Sequence, residues 1–160
     1  MNAKYLPMKT IEIISVFSKA NTNHSSDNNM VYLPQDLIPC NKISKNGNKS
    51  NGAFNTPYWK PDVKYVQNFT NYPKNYIEIP YQKNTFHPTQ KPVKLIEYLI
   101  KTYTNENECV LDFTAGSGTT GIACMNLNRK CVLIEKEEKY CKIIIKRLQD
   151  KEDEIKQRIF

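Results

Sequence analysis

The chain has 160 residues, with 23 Lys and Arg against 16 Asp and Glu for a net charge of +7. That length gives one domain with a modest core, and the positive balance suits a polyanionic partner, although a general lysine-rich bias produces the same excess. No run is long or apolar enough to span a membrane and the N-terminus lacks a signal-peptide pattern, so the composition points to a cytoplasmic, intracellular protein. Cys40, Cys109, Cys124, Cys131 and Cys141 include no C-x-x-C pair, and only His24 and His87 accompany them. They read as reduced core thiols, and no metal-ligand cluster is proposed.

Taken in chain order, residues 10–19 (TIEIISVFSK) place Ile11, Ile13 or Ile14, Val16 and Phe17 in a β-prone run that predicts a buried strand. Ala20 to Asn29 is polar and without periodicity, as a loop would be. From Cys40 to Lys83, lysines 42, 45, 49, 60, 64, 74 and 83 face only Asp62 and Glu78, with Tyr58, Trp59 and six other aromatic residues interleaved. Cations for phosphates and flat rings for bases suit a nucleic-acid surface; the same composition also fits a loop whose aromatics pack locally. Asn55, Thr56, Pro57, Tyr58 follows no apolar strand and reads as a turn.

His87 to Pro92 (HPTQKP) leads into Val93 to Tyr103, where Leu95, Ile96, Leu99, Ile100 and Tyr103 keep helical spacing and Pro92 fits a first helical turn. Cys109 to Glu135 then reads as strand, loop, helix, strand. Val110, Leu111 and Phe113 predict a strand buried in a parallel sheet, Ile122 to Leu127 the start of a helix, and Val132 to Ile134 a second strand. Between them, Gly116, Ser117, Gly118, Thr119, Thr120 and Gly121 satisfy G-x-G-x-x-G. Such a turn lets backbone N–H groups approach a ligand at a helix N-terminus, or it serves only as a tight strand-to-helix connection. Glu135 follows Gly118 by 17 positions, near the ~20 of an acid that accepts hydrogen bonds from ribose hydroxyls, so a nucleoside-containing cofactor is the natural occupant. Asp112 at the strand end would repel a pyrophosphate and welcome an ammonium, which favours S-adenosylmethionine over a dinucleotide. Glu137 to Ile159 closes the chain as a long amphipathic helix.

HPTQKP at His87 to Pro92, LDFTAGSGTT at Leu111 to Thr120 and LIEKEEKYCKI at Leu133 to Ile143 resemble, in this order, the C-terminal motifs of the beta-class DNA amino-methyltransferases. The resemblance is specific from about His87 to Leu148 and weaker in MKTIEIISVFSK near the start. It implies an α/β chain, a partial Rossmann-like S-adenosylmethionine-dependent methyltransferase fold lacking several strands of its sheet. Residues 1–19 would be a sheet strand of the core, 20–84 a loop-rich basic target-recognition region, and 85–160 the cofactor-binding part. S-adenosyl-L-methionine would be held by Thr89, Lys91, Asp112, Phe113, Thr114, Ala115, Gly116, Ser117, Gly118, Thr119 and Glu135. DNA would be held by Lys42, Lys45, Lys49, Tyr58, Trp59, Lys60 and Lys64.

Two departures matter. Many members of that family carry Asp-Pro-Phe where Asp112, Phe113 and Thr114 stand, which leaves cofactor binding largely unaffected. The family's catalytic tetrapeptide, an Asp, Asn or Ser followed by Pro-Pro and an aromatic residue, occurs nowhere in the 160 residues, so no catalytic residue is assigned. In the resembled family that tetrapeptide accepts hydrogen bonds from the amine of a flipped base, whose lone pair is otherwise delocalised into the ring. The resemblance further implies that the chain supplies strands 1, 2 and 7 of that sheet and that strands 3, 4 and 5 are not among these residues, so strand 1 lacks one neighbour. Two outcomes are expected: association with a separately encoded N-terminal half, or a local rearrangement that covers the strand. The sequence supports a methyltransferase portion inactive by itself, acting on adenine rather than cytosine because LDFTAGSGTTGIACMNLNR looks most like adenine-specific members. The alternative is a non-enzymatic relic that binds DNA or the cofactor.

Overall fold

The computed structural model of the chain describes residues 11–19, 30–45, 64–80, 82–83 and 85–159. The chain divides into two compact units, residues 1–30 and 31–160. In the first, residues 11–19 form no strand and Phe17 is 91% exposed. The buried strand predicted for this run is therefore not formed across the described residues. A β-prone sequence becomes a strand only where a ladder takes its backbone groups and a core takes its alternate side chains.

The second unit contains β1 (Ile38–Lys45), β2 (Lys64–Thr70), α1 (Val93–Tyr103), β3 (Cys109–Asp112), α2 (Thr119–Asn126), β4 (Lys130–Leu133) and α3 (Glu138–Ile159). The helix predicted over Val93 to Tyr103 spans those residues, and the terminal helix begins one residue later than predicted. β1 and β2 pair antiparallel, with Lys42 opposite Gln67, Ile43 opposite Val66, Ser44 opposite Tyr65 and Lys45 opposite Lys64. A bulge interrupts the ladder between Pro39 and Lys42, where Asn41 takes a φ of 45°. Within residues 20–84, read as a loop-rich region, the described residues thus include one two-stranded ribbon. Its described strands end at Lys45 and resume at Lys64, with the 18 residues 46–63 between them, whereas the turn by which a hairpin is found in sequence has two to five.

β3 and β4 pair parallel, from Cys109 opposite Lys130 to Asp112 opposite Leu133. Alternation then gives this short sheet two faces of different fate. Val110 and Cys131 turn toward α1 and α2, where Ile100, Ala123 and Cys124 are buried and Val93, Ile96 and Leu127 pack around them. Burial pushes the Cys124 thiol up to about 12, so it stays protonated and unreactive as a core residue. The opposite face is open: Leu111 is 60% and Phe113 72% exposed, and Val132 and Ile134 are exposed beside them. The strand predicted to be buried in the sheet is therefore buried on one face only, because among the described residues helices cover one side alone. Cys40 and Cys109 are also exposed, contrary to the reading of all five cysteines as core thiols.

Arg129 ties the two connections of the α/β unit together. Its guanidinium donates to the carbonyls of Leu127 and Thr104, and its Nε to Thr104 Oγ1. Among the described residues no helix is long and apolar enough to cross a membrane.

Gly118 caps α2 with a φ of 79°, and a Cβ placed there would meet Ile144 Cγ1 at 3.0 Å. The left-handed backbone alone costs an L-residue about 1–2 kcal/mol. Gly118→Ala should therefore lower the urea midpoint by at least that equivalent, whereas an unchanged midpoint would show that this turn is not under conformational constraint.

Candidate cofactor site

The site is built where β3 ends. Ile134 N–H donates to the Asp112 carbonyl and Ala115 N–H to the Ile134 carbonyl, so the parallel pairing continues past both strands and delivers Asp112 and the glycine turn to the same end of the sheet. That end, at the carboxyl ends of parallel strands, is where open α/β sheets bind ligands. The Asp112 carboxylate accepts from Thr114 N–H at 3.0 Å through Oδ1 and from Thr120 Oγ1 at 2.6 Å through Oδ2. Each oxygen keeps a second acceptor site, so the group is oriented and still able to take a ligand donor.

The turn itself is held from three directions. Glu135 accepts from Gly116 N–H at 2.7 Å through Oε2 and from Glu137 N–H at 2.9 Å through Oε1. The Glu137 hydrogen bond, followed by that from Gly116, holds its carboxyl below the usual 4.5. Arg147 of α3 donates to the Ser117 carbonyl and lies over the Phe86 ring at 5.0 Å. Burial lowers the pKa of its guanidinium, which stays charged at any physiological pH. Ser117 Oγ donates to Gln90 Oε1 at 2.7 Å, joining the turn to the HPTQKP segment. His87 of that segment packs beside Gly116, where a Cβ would stand 3.6 Å from the ring, and stacks on Tyr140 at 4.4 Å.

These elements enclose a cleft of about 480 Å³, within the range of small-molecule sites. Thr89, Lys91, Asp112, Phe113, Thr114, Ala115, Gly116, Ser117, Thr119 and Glu135 line it, as do His87, Gln90, Ile96, Thr120 and Lys136. Ten of the eleven residues assigned to the cofactor thus share one cavity. Gly118 does not reach the cleft wall; its missing side chain makes room for Ile144. Gly121 likewise serves packing, since a Cβ there would lie 2.8 Å from Leu133 Cδ1. The turn amides also differ from expectation. Gly116 N–H is taken by Glu135 and Gly118 N–H by the Ala115 carbonyl at 2.7 Å, so neither is directed at a ligand.

Two buried polar atoms of the cleft lining, Gln90 Nε2 and Thr119 Oγ1, have no hydrogen-bond partner. For Gln90 the orientation is fixed: Oε1 must accept from Phe86 N–H at 3.1 Å as well as from Ser117, which leaves the amide nitrogen as the idle donor. A buried donor without a partner costs about 1–3 kcal/mol, a cost that a bound acceptor removes. Sequence reasoning missed Gln90, Thr120 and Arg147. The i, i+8 relation of Thr120 to Asp112 across a strand-to-helix turn was a usable signal, whereas Arg147 becomes visible only when α3 folds back on the turn.

Of the residues assigned to DNA, Lys42 and Lys45 lie on β1 and Lys64 on β2, outside the cleft. Lys49, Tyr58, Trp59 and Lys60 lie outside the described residues.

A parallel strand pair joined through a glycine turn and helix, with acids at both strand ends, is the nucleotide-side unit of a Rossmann-like α/β fold. A family model described as DNA methylase matches residues 2–146, and the chain belongs to that family. It is 48% identical over 62 residues to the type II methyltransferase M2.LlaDCHI of Lactococcus lactis subsp. cremoris, a match covering 39% of this chain and 23% of that protein. Over 63 residues it is 46% identical to the type II methyltransferase M2.DpnII of Streptococcus pneumoniae, covering 39% of this chain and 24% of the relative. Among solved structures, the crystal structure of the M1.HpyAVI-SAM complex is 40% identical with a TM-score of 0.41, over 59% of this chain and 43% of that one. The chain therefore spans about a quarter of the curated relatives it matches.

Because Glu135 is held below 4.5 by hydrogen bonds made only in the folded turn, its contribution to stability is present above that value and is lost as pH falls through the lower folded one. The urea midpoints of the wild type and Glu135→Gln should therefore differ at pH 7 and converge in acid below pH 4.5. A gap independent of pH would mean that the Glu135 charge does not hold the turn.

Proposed function

We propose that this chain is the cofactor-binding and DNA-recognition portion of a site-specific DNA methyltransferase that transfers a methyl group from S-adenosylmethionine to the exocyclic amine of adenine. The observation that carries the reading is the cleft at the end of β3, in which Asp112 is oriented and the buried Gln90 Nε2 and Thr119 Oγ1 have no protein partner. S-adenosylmethionine fits that donor set: its ammonium suits the Asp112 carboxylate, and its carboxylate and ribose oxygens suit an idle amide donor and a hydroxyl. When bound, it supplies an electrophilic methyl group on a sulfonium.

The residues of this chain orient rather than activate. Glu135 and Arg147 fix the turn, Asp112 and Gln90 present the polar contacts, and Phe113, exposed at the strand end, offers an apolar surface at the cleft. Activation of the amine needs hydrogen-bond acceptors of the Pro-Pro-aromatic type, which the 160 residues do not contain. Those acceptors come from outside them, in a separately encoded chain or a further stretch of polypeptide, which would add strands at the edge of β3 away from β4 and cover the open face of Leu111, Phe113, Val132 and Ile134. The preference for adenine rests on the resemblance of LDFTAGSGTTGIACMNLNR to adenine-specific members.

Calorimetric titration with S-adenosylmethionine tests the cofactor reading. Micromolar binding is expected for the wild type, weakened by about 10- to 100-fold in Asp112→Ala, as the loss of a charged hydrogen bond of about 1.5–3 kcal/mol implies. A folded wild type that binds DNA in a salt-sensitive way yet takes up no cofactor would replace this reading with that of a DNA-binding relic.

A further inference from the structure

We infer that His87 is a positioning residue of the cofactor cleft: its unprotonated Nδ1 anchors the wall formed by Thr89, Gln90 and Lys91, and cofactor affinity falls when that nitrogen takes a proton. The inference rests on the cofactor reading above and adds to it the residue that seats one wall of the site.

A backbone N–H only donates, so the 3.2 Å hydrogen bond from Thr89 N–H makes His87 Nδ1 an acceptor and places the ring proton on Nε2. Thr89 Oγ1 lies 3.1 Å from the same nitrogen. Gln90 N–H donates to the His87 carbonyl at 3.0 Å, so two successive amides of HPTQKP end on one residue. The turn they close carries Thr89, Gln90 and Lys91 to the cleft, with the idle Gln90 Nε2 among them. The half-buried ring is itself seated against Gly116 and on Tyr140 of α3, at 4.4 Å. His87 thus joins three parts of the chain: the HPTQKP turn, the glycine turn and α3.

Among the described residues, the titratable and charged groups around the ring come from three elements. Glu135 follows β4, and its carboxyl feels a charge at His87 after the hydrogen bonds that hold it. Tyr140 lies on α3, with Lys139 over its ring at 4.7 Å. Lys91, Asp112 and Lys136 share the cleft lining with His87. A proton on Nδ1 leaves two donors facing each other, Nδ1–H and Thr89 N–H. The Glu135 carboxylate and the Tyr140 ring meanwhile favour a cationic ring in its place. The ring therefore stays and the turn is released.

The test is calorimetric titration of the full chain with S-adenosylmethionine at about pH 7.5 and about pH 5.5, a span in which histidine is the ordinary side chain that changes charge. Wild-type affinity should fall about three- to tenfold on acidification, as the loss of one hydrogen bond implies. His87→Asn places an amide oxygen where it accepts from the N–H two residues on and does not titrate. It should recover most of the neutral affinity and lose the extra fall in acid, any titration of the ligand being common to both proteins. His87→Phe keeps a flat ring on Tyr140 without an acceptor, and should bind about three- to tenfold more weakly at both pH values. S-adenosylhomocysteine, which lacks the sulfonium charge, should show the same acid fall with the wild type. Wild-type binding equal at the two pH values, an acid fall preserved in His87→Asn, or His87→Asn no tighter than His87→Phe overturns the assignment and leaves the cofactor reading standing. A fall confined to S-adenosylmethionine overturns it in favour of charge repulsion. A folded wild type that takes up neither compound overturns both readings.

Discussion

The glycine turn from Ala115 to Gly118 is the constraint on which the rest of the α/β unit depends. It converts the end of β3 into the start of α2 within a few residues, through two left-handed glycines. A turn this tight loses conformational freedom on folding. The surrounding structure offsets that cost by fixing the turn from separate parts of the chain: Glu135 after β4, Gln90 in HPTQKP and Arg147 in α3. Each contact is a hydrogen bond to a turn residue, and together they make one wall of the cleft a junction of distant segments. The glycine motif therefore acts chiefly through shape and packing, while side chains around it face the cleft.

The Glu135 carboxylate illustrates how a single acid serves both fold and site. Its oxygens close the hydrogen bonds of Gly116 and Glu137, yet the residue remains part of the cleft lining. A carboxylate has about four acceptor positions, so structural use does not exhaust it. The same logic applies to Asp112, whose two protein donors set its orientation. A site built this way is organised before any ligand arrives, apart from Gln90 Nε2 and Thr119 Oγ1.

The β3–β4 sheet has one face buried against α1 and α2 and one face open, with Leu111 and Phe113 largely exposed. An open apolar face continuous with the cleft links the packing of this domain to its chemistry. Whatever covers Leu111 and Phe113 also stands beside the site. The chain belongs to the DNA methylase family and spans about a quarter of the curated relatives it matches.

The sequence by itself determined the local order: a helix over Val93 to Tyr103, the strand, turn and helix around Gly116 to Gly121, and the terminal helix. Hydrophobic period, glycine and proline act over a few residues, so these elements are legible without a fold. The resemblance to the beta-class enzymes, carried by motifs in the sequence, also named ten residues that line one cleft. Only the tertiary structure decided which groups satisfy which. The Gly116 amide went to Glu135, Gly118 and Gly121 were spent on Ile144 and Leu133, and Arg147 reached the turn from α3. Tertiary structure also decided the β1–β2 ribbon, and that residues 11–19 form no strand despite their composition. Strand formation depends on a partner distant in sequence, and no local pattern states whether that partner is there.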